Sequence, residues 1–268
     1  MKISAFQFDV QKDKYKNIAI IEEALIKEKT DLLVLPELSS SGYVFESRDE
    51  LKKSAEKIEN GIFINSLSKI SKENNTSIIA GFAEEFEDKI YNSAIIIERG
   101  NIKGVYRKIH LSDFEKNFFN SGDINNSNLV FNLNNTCISV QICFDLWFNE
   151  ISRAQILNGS NIICVLANFG SNTTFEIARI RAIENLTPLV LCNRIGIEKN
   201  SIMEAAFIGK SFICDEKGNY LANIDEKSNS NKMITSEIEI KSKRQNIICS
   251  NFIDEIKKHY NNDIISKN

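Results

Sequence analysis

The chain has 268 residues, of which 43% are hydrophobic and 26% are charged, a composition typical of a globular protein with a core of useful size. Its formal net charge of −3 excludes a global basic field that would draw it to nucleic acid or to an anionic membrane. No run of 18 apolar residues predicts a membrane span, and the N-terminal segment lacks the pattern of a signal peptide.

The first 107 residues predict alternating strands and helices. Residues 2–8 alternate β-branched or aromatic side chains with others and predict a strand, and residues 14–29 place apolar side chains at helical spacing. Residues 31–36 form a solid apolar run, which is typical of a buried strand. The other elements predicted in this part are a helix at 61–74 and strands at 77–83, 91–98 and 102–107.

A loop at about 108–127 separates these elements from a second series. That series comprises strands at 128–133, 136–143, 160–167, 188–194, 204–214, 219–224 and 232–240, with helices at 149–158 and 173–186. Strand–helix–strand units mixed with neighbouring strands predict a layered α/β fold with mixed sheets. In such folds ligands bind at the carboxyl ends of strands, so those positions are the candidates for catalytic residues.

The last 18 residues differ in pattern from the rest. Residues 251–268 are polar apart from a spaced apolar set, which predicts a C-terminal arm or a weak helix after a single domain at 1–250. The apolar residues of the arm are Phe252, Ile256, Tyr260 and Ile264.

Two predicted strands end in charged residues able to carry chemistry. Glu37 follows the apolar strand DLLVLP, where burial raises the pKa of a carboxylate and lets it accept a proton. Lys108 follows the strand at 102–107, and a fixed ammonium there can stabilise an oxyanion. Taken alone, each position is better explained as an ordinary surface glutamate or a basic turn.

Cys143 is the third strand-end residue. It closes the strand at 136–143 before a polar turn and a helix, a placement that exposes a nucleophile and favours its thiolate. The other cysteines lie mostly in apolar runs, where a free thiol packs as a small hydrophobe, and no CxxC motif occurs, which suits reduced thiols in the cytoplasm. They are Cys137, Cys164, Cys192, Cys214 and Cys249.

A cysteine–histidine pair is the obvious alternative, and it requires His110 as the base. We rank it lower, because the neighbouring Lys108 lowers the basicity of the imidazole and the sequence identifies no Asn or Asp to orient the ring. The only other histidine is His259, so a multi-histidine metal site is not expected.

Taken in order, these segments resemble the nitrilase superfamily of carbon–nitrogen hydrolases over nearly the whole chain. AFQF resembles the first strand of the family, LPEL with the following SGY its glutamate motif, and YRKIHL its lysine motif. EKNFFNSGD resembles the segment of the family's second glutamate, which corresponds to Glu115. CFDLWFNEISRAQILNGSNII resembles the cysteine motif, and ARIRAIENLTPLVLCNRIG and GKSFICDEKG resemble later signatures. The chain departs from the family at Asn149, where proline is common, and at 166–169, where Pro-Ala-Asn-Trp is common. Both positions are expected near the pocket, so the departures concern the identity of the substrate and not the chemistry.

The resemblance implies a nitrilase-like αββα four-layer sandwich with two mixed sheets. It also implies that Glu37 transfers protons, that Cys143 attacks the amide carbon to give a thioester, and that Lys108 stabilises the oxyanion. The backbone N–H of Phe144 is expected to share that last role, and Glu115 is expected to orient Lys108 or the substrate nitrogen. No metal or organic cofactor is expected.

Several further residues near the motifs have predicted roles. Asp145 is expected to brace the turn through backbone donors, and Arg181 with Glu184, at i and i+3 on one helix, to form a structural ion pair. Arg107 and Arg153 are candidate partners for a carboxylate on the substrate. Four residues are predicted to line the pocket, although each is as well explained by packing: Tyr43, Phe144, Trp147 and Phe169.

The main functional prediction is hydrolysis of small linear amides to carboxylate and ammonia. The second is hydrolysis of N-carbamoyl amines, which Trp147 in CFDLWF favours, whereas a true nitrilase is less favoured because the resemblance points to amides. An alternative of another class is a catalytically silent metabolite-binding or scaffolding relative, which the intact Glu37, Lys108, Cys143 and Glu115 disfavour.

Assembly and location follow from the helices and the cysteines. The helices at 149–158 and 173–186 carry more apolar residues than one core face needs, so we expect a cytoplasmic homodimer or larger homo-oligomer. Neither nucleic acid nor a membrane is expected as a partner. The apolar residues in question are Ile151, Ile156, Leu157, Phe175, Ile177, Ile180 and Ile183.

Overall fold

Two six-stranded β-sheets form the centre of the protein in the computed structural model, which describes residues 1–124, 129–225, 229–241 and 244–259. The helices are α1 (Lys14–Lys27), α2 (Arg48–Ser54), α3 (Ile62–Asn74), α4 (Asn149–Leu157), α5 (Thr173–Asn185) and α6 (Phe252–His259). The strands are β1 (Lys2–Gln7), β2 (Leu32–Val34), β3 (Ser77–Phe86), β4 (Lys89–Glu98), β5 (Asn101–Arg107), β6 (Phe131–Leu133), β7 (Thr136–Ile142), β8 (Ile162–Ala167), β9 (Leu189–Asn193), β10 (Ile195–Lys199), β11 (Glu204–Ile208), β12 (Phe212–Cys214), β13 (Tyr220–Asn223) and β14 (Lys232–Glu237).

Both sheets have the same pairing pattern. The first runs β14-β1-β2-β3-β4-β5 and the second β6-β7-β8-β9-β12-β13. Read in those directions, each has one antiparallel pair, two parallel pairs and two antiparallel pairs. Strands β10 and β11 form a separate antiparallel ribbon. The predicted mixed sheets are therefore confirmed.

Three apolar clusters show how the layers stack. One lies between the sheets and joins side chains of both, such as Ile79 of β3 and Val140 of β7. A second covers the outer face of the first sheet with α1 and α3, whose apolar spacing puts Ile21 and Phe63 on the sheet. A third covers the outer face of the second sheet with α4 and α5. The order helix, sheet, sheet, helix confirms the predicted αββα sandwich.

One predicted strand is divided in the structure, and two observed elements were not predicted. The single strand expected at 204–214 is divided, because its first part pairs with β10 in the ribbon and its last part joins β9 in the second sheet. Helix α2 was not predicted, since it has seven residues and buries only Leu51; Ser47 caps it by accepting the N–H of Glu50 at 3.2 Å. Ribbon strand β10 was also missed, because its five residues include Gly196, Glu198 and Lys199 and so form no apolar run.

Helix α6 forms the described part of the C-terminal arm. Its Ile253 packs against the cluster on the outer face of the second sheet, and the guanidinium of Arg153 lies 5.3 Å from the ring centroid of Phe252. Tyr260 and Ile264, predicted to belong to the arm, lie outside the described residues, as do residues 125–128 of the loop and strand predicted there. In the described ranges, no helix has both the length and the apolar character needed to cross a membrane.

Candidate active site

Two strand ends of the first sheet bring a buried lysine between two buried glutamates. Glu37 follows β2, Lys108 follows β5, and Glu115 begins a short 3-10 helix, Glu115–Asn117. The ammonium nitrogen Nζ of Lys108 lies 2.7 Å from Oε1 of Glu37 and 2.6 Å from Oε1 of Glu115. All three side chains are buried, so the predicted acid–base residues do converge.

Asn92 of β4 completes this cluster, and the sequence prediction missed it. Its amide nitrogen Nδ2 donates to Oε1 of Glu37 at 2.7 Å and to Oε1 of Glu115 at 3.0 Å. The two carboxylates therefore share two donors. A signal for Asn92 did exist, because Asn92 and Ser93 are polar residues inside a predicted strand that is apolar over its next four residues.

The second oxygens of the two glutamates have different surroundings. Oε2 of Glu115 accepts the backbone N–H of Ser112 at 3.0 Å, whereas Oε2 of Glu37 is buried and has no hydrogen-bond partner in the described part of the chain. Burial raises the pKa of Glu37, as expected, and the charge of Glu115 adds to the rise although Lys108 opposes it. Burial also pushes the pKa of Glu115 upward, but the charge of Lys108 and the Ser112 hydrogen bonds outweigh it and leave that pKa lowered.

This difference separates the two carboxylates chemically. Groups whose environments push their pKa values apart are suited to different roles. Glu115 is a fixed anion, while Glu37 has a free oxygen and a raised pKa, so it can accept and return a proton.

Lys108 stays charged although its side chain is buried. Burial alone lowers the pKa of a lysine, but the negative charges of Glu115 and Glu37 outweigh it and raise the pKa of Lys108 well above its usual value. An ammonium has three N–H donors, and the two carboxylates take two of them. The third can bind an oxyanion.

Cys143 lies at the corresponding end of the second sheet. It follows β7 and begins a 3-10 helix, Cys143–Trp147, with a backbone φ of 50°, a conformation that non-glycine residues rarely adopt. Such a strained strand-to-helix turn presents a nucleophile away from its strand. The residue is partly exposed, as access to a substrate requires.

The thiol of Cys143 is protonated at rest, which corrects the expectation of a helix-stabilised thiolate. Burial and the negative charge of Glu37 raise the pKa of Cys143 well above its usual value, whereas Lys108 and a backbone hydrogen bond from Asn168 lower it by less. The helix that follows is too short to offset burial. Attack by Cys143 therefore requires a base to remove the thiol proton.

Asp145 holds the cysteine turn against the segment that follows β5. One carboxylate oxygen accepts the N–H of Ile142 at 3.3 Å and the hydroxyl of Tyr106 at 2.9 Å. The other accepts the backbone N–H groups of Ile109 at 3.2 Å and His110 at 2.8 Å. The predicted bracing role is confirmed, and it extends across both sheets.

His110 contacts the same carboxylate. Its Nδ1 lies 3.2 Å from Oδ1 of Asp145, and its ring stacks on Phe148 with the centroids 3.5 Å apart. The sequence identified no Asn or Asp to orient His110, and the structure supplies one because the turn brings Asp145 to the ring. A ring held between Asp145 and Phe148 braces the turn.

The four residues predicted to line the pocket lie in different surroundings from one another. Tyr43 lies beside the charged cluster, with its hydroxyl 3.4 Å from that of Ser112, and burial and the charge of Glu115 raise its pKa well above the usual value. Phe144 is partly exposed next to Cys143. The side chain of Trp147 is 46% exposed, and the ring of Phe169 is buried in the outer cluster of the second sheet.

Arg107 and Arg153, predicted as partners of a substrate carboxylate, are engaged within the protein. Arg107 makes two hydrogen bonds to the buried Glu84, at 2.6 and 2.8 Å. Arg153 donates to the carbonyl of Glu184 at 3.1 Å. Arg181 pairs with Glu184 at 2.9 Å, which confirms that predicted structural pair.

Asn168 is a second polar residue that the prediction did not assign. It follows β8, its backbone helps to lower the pKa of Cys143, and both of its buried side-chain polar atoms lack a partner within the described ranges. The rule that sites form at strand ends could have identified it. No group of three or more His, Cys, Asp or Glu residues in those ranges could hold a metal ion.

Comparison with known proteins gives matches over nearly the whole chain. The family model described as carbon-nitrogen hydrolase matches residues 2–245. A protein of Pyrococcus abyssi named nitrilase is 36% identical over 245 residues, covering 89% of this chain and 90% of that protein. A protein of Arabidopsis thaliana named N-carbamoylputrescine amidase is 32% identical, covering 91% of this chain and 89% of that protein.

A solved structure shows the same fold. It is a mutant of the amidase from Nesterenkonia sp. AN1, showing the result of Michael addition of acrylamide at the active-site cysteine of that enzyme. The TM-score is 0.76 at 18% identity, and the match covers 96% of this chain and 98% of that one.

Proposed function

The chain belongs to the carbon–nitrogen hydrolase family and is an enzyme of the amidase type, and from this premise we propose that it hydrolyses small linear amides to a carboxylate and ammonia. The observation that carries the proposal is the unequal environment of the two glutamates around Lys108. Only Glu37 combines a raised pKa with an oxygen that lacks a partner in the described part of the chain. We therefore propose Glu37 as the base and Glu115 as the residue that holds Lys108.

The first half of the reaction forms the acyl-enzyme. Glu37 takes the thiol proton of Cys143 while the sulfur attacks the amide carbon and the carbonyl electrons move to oxygen. Lys108 and the backbone N–H of Phe144 stabilise this oxyanion, and one such donor typically contributes about 2.7–4 kcal/mol. The carbon–nitrogen bond then breaks, and Glu37 gives its proton to the departing ammonia.

The second half releases the acid. Glu37 takes a proton from water, and the resulting hydroxyl attacks the thioester carbon. The oxyanion forms at the same donors and collapses with cleavage of the carbon–sulfur bond. The thiolate of Cys143 recovers its proton from Glu37, so the enzyme returns to its starting state.

The second candidate is hydrolysis of N-carbamoyl amines to amine, carbon dioxide and ammonia. It is supported by the 32% identity to the protein named N-carbamoylputrescine amidase. The same groups would perform it, because the carbamoyl carbon is attacked in the same way. Nitrile hydrolysis is not proposed, but nitriles are included in the screen below.

A screen of ammonia release tests the proposal. Purified enzyme is offered linear aliphatic amides, N-carbamoyl amines and nitriles, with Cys143→Ala as the inactive reference. We expect release from amides and a transient acyl adduct on Cys143 in mass spectra. Release from N-carbamoyl amines alone would favour the second candidate, and turnover without a Cys143 adduct would refute the mechanism.

We also propose that the enzyme is a homodimer formed through the helical layer of the second sheet, with a hydrolase domain at 1–250 and an arm at 251–268. Of the residues expected at the interface, Ile151, Ile156 and Phe175 are buried within the chain. Ile180 is 49% exposed and Ile183 is 44% exposed on α5, which supports cover by a partner. The six free cysteines suit the cytoplasm.

Light scattering tests the assembly. Ile180→Lys should shift the protein toward the monomer, since it places a charge in the proposed interface. Ile26→Lys, at an isoleucine that is 70% exposed on α1, is the matched control and should not change the mass. A wild-type monomer at micromolar concentration would contradict the proposal.

A further inference from the structure

Arg194, the residue between β9 and β10, is fully buried although it carries a charge. Its guanidinium donates to the carbonyl of Val10 at 2.7 Å and to the carbonyl of Ile195 at 3.2 Å, and it pairs closely with Glu198 of β10. The ring of Phe207 of β11 lies 4.4 Å from the guanidinium carbon. These contacts fix the position of the Glu198 carboxylate.

The second oxygen of Glu198 binds the backbone of another segment. It accepts the N–H of Tyr43 at 2.8 Å and the N–H of Val44 at 2.7 Å. Gly42 lies against this carboxylate with φ +77°, and a Cβ there would lie 2.7 Å from Glu198 Oε1. The close approach therefore requires a glycine.

The turn that joins β10 to β11 holds the rest of the same segment. The amide nitrogen of Asn200 donates to the carbonyl of Phe45 at 2.7 Å, and the hydroxyl of Ser201 donates to Glu46 at 2.7 Å. The ribbon thus binds four consecutive residues, 43–46, that follow the Glu37 motif. Without the Glu198 carboxylate, the backbone N–H groups of Tyr43 and Val44 would lose their acceptor.

Tyr43 connects this segment to the catalytic cluster. Its ring packs against Phe207 of the ribbon and Phe114 of the loop, with centroid distances of 6.1 and 5.7 Å. Its hydroxyl lies 3.4 Å from the hydroxyl of Ser112, whose backbone N–H bonds Glu115 at 3.0 Å. One wall of the site is therefore held in place from the ribbon.

We propose that Arg194 and Glu198 are positioning residues that fix Tyr43 as a wall of the substrate pocket. They act on substrate fit and leave the chemical step largely intact, because Glu37 and Lys108 are held independently by Asn92 and by each other. The ribbon thereby sets how tightly the chain of a linear amide is bound. The kinetic consequence of this inference rests on the proposed amidase function, whereas its structural part does not.

Hydrogen exchange tests the structural part without any substrate. In Glu198→Ala, the amide protons of Tyr43 and Val44 should exchange roughly 10-fold faster or more, because they lose their acceptor. Peptides that contain Cys143 should exchange as in the wild type. Glu204→Gln is the matched control, since Glu204 lies on the same ribbon but is exposed and should leave exchange at 43–44 unchanged.

Steady-state kinetics on linear aliphatic amides tests the consequence. Glu198→Ala should raise KM roughly 10-fold with less than about threefold loss of kcat, and Glu198→Gln, which keeps one acceptor oxygen, should lie between Ala and wild type. Should Ala fail to fold, Gln alone still tests the KM effect. An unchanged KM, or equal changes in kcat and KM with general loss of exchange protection, would overturn the inference.

The two tests separate this inference from the proposed function. If the wild type releases ammonia from no amide but exchange at 43–44 increases only in the Glu198 variants, the amidase proposal fails and the positioning role stands. If the wild type is active and exchange at 43–44 is the same in all variants, the positioning role fails and the amidase proposal stands.

Discussion

The two six-stranded sheets share one pairing pattern, but their carboxyl ends carry different chemistry. In the first sheet, β2 leads to Glu37 and β5 to Lys108, which are buried charges. In the second sheet, β7 leads to Cys143 and β8, the counterpart of β2 in the pairing order, leads to Asn168. One sheet thus supplies the ions and the other supplies neutral groups.

The comparison shows why the ions are grouped on one sheet. A buried charge is tolerated only where an opposite charge and hydrogen bonds compensate it, and the first sheet provides both within a few ångströms through Lys108, Glu115 and Asn92. The thiol of Cys143 is neutral at rest and needs no such compensation, so a strained turn alone can present it. The proposed mechanism requires that the two strand ends stay at a fixed distance from each other, and we propose that the hydrogen bonds of Asp145 to both segments hold them there.

Removing the proposed nucleophile should have the largest effect. Cys143→Ala should lower kcat by about 10⁴-fold or more, because no acyl-enzyme can form. Its circular dichroism spectrum should match that of the wild type. Cys137→Ser, near the start of the same strand, is the control and should keep full activity. An active Cys143→Ala enzyme would show that the second sheet does not supply the nucleophile.

Removing the base should come next and should affect stability differently. Glu37→Gln should lower kcat by about 10²–10⁴-fold, the range for general acid–base catalysis. Its melting temperature should not fall, because the change removes one of two buried anions and leaves Lys108 paired with Glu115. Glu22→Gln, an exposed position on α1, is the control for both measurements. A large loss of stability with near-normal turnover would contradict this division of roles.

Breaking the link between the sheets should have an intermediate effect. Asp145→Asn keeps the size of the side chain but loses acceptor capacity toward the N–H groups of Ile109, His110 and Ile142. We expect kcat to fall roughly 10- to 100-fold, and the free energy of unfolding to fall by about 1–3 kcal/mol, the cost of a buried donor left without a partner. Urea unfolding and kcat measured together check this. Unchanged kcat despite lower stability would limit Asp145 to a structural role.

The smallest expected effect is a shift in pH dependence. The negative charge of Glu115 is one of the causes that raise the pKa of Glu37, so Glu115→Gln should lower that pKa. Glu37 would then remain ionised, and able to accept the thiol proton, at lower pH. The acid limb of the kcat/KM profile should therefore move to lower pH, even though the overall rate falls. A limb that stays in place, or moves to higher pH, would contradict the assignment of Glu37 as the base.

The sequence alone predicted the layered fold and the four groups of the proposed mechanism. Buried strands are visible as apolar runs, and Glu37, Lys108 and Cys143 each follow a predicted strand. Position alone favoured ordinary explanations for Glu37 and Lys108, so the resemblance of the ordered motifs to the nitrilase superfamily was needed to assign them. The order of the motifs added Glu115. None of these inferences needed to know which strands are neighbours.

Only the tertiary structure decided how the groups differ and what supports them. The pairing order of the strands brings Asn92 to both glutamates, Asp145 to His110, and Glu198 to the backbone of Tyr43, across separations of 23 to 155 residues along the chain. A pKa depends on burial and on charges a few ångströms away, and neither can be read from local sequence. For that reason the raised pKa of Cys143 and the opposite pKa shifts of Glu37 and Glu115 emerged only from the folded chain.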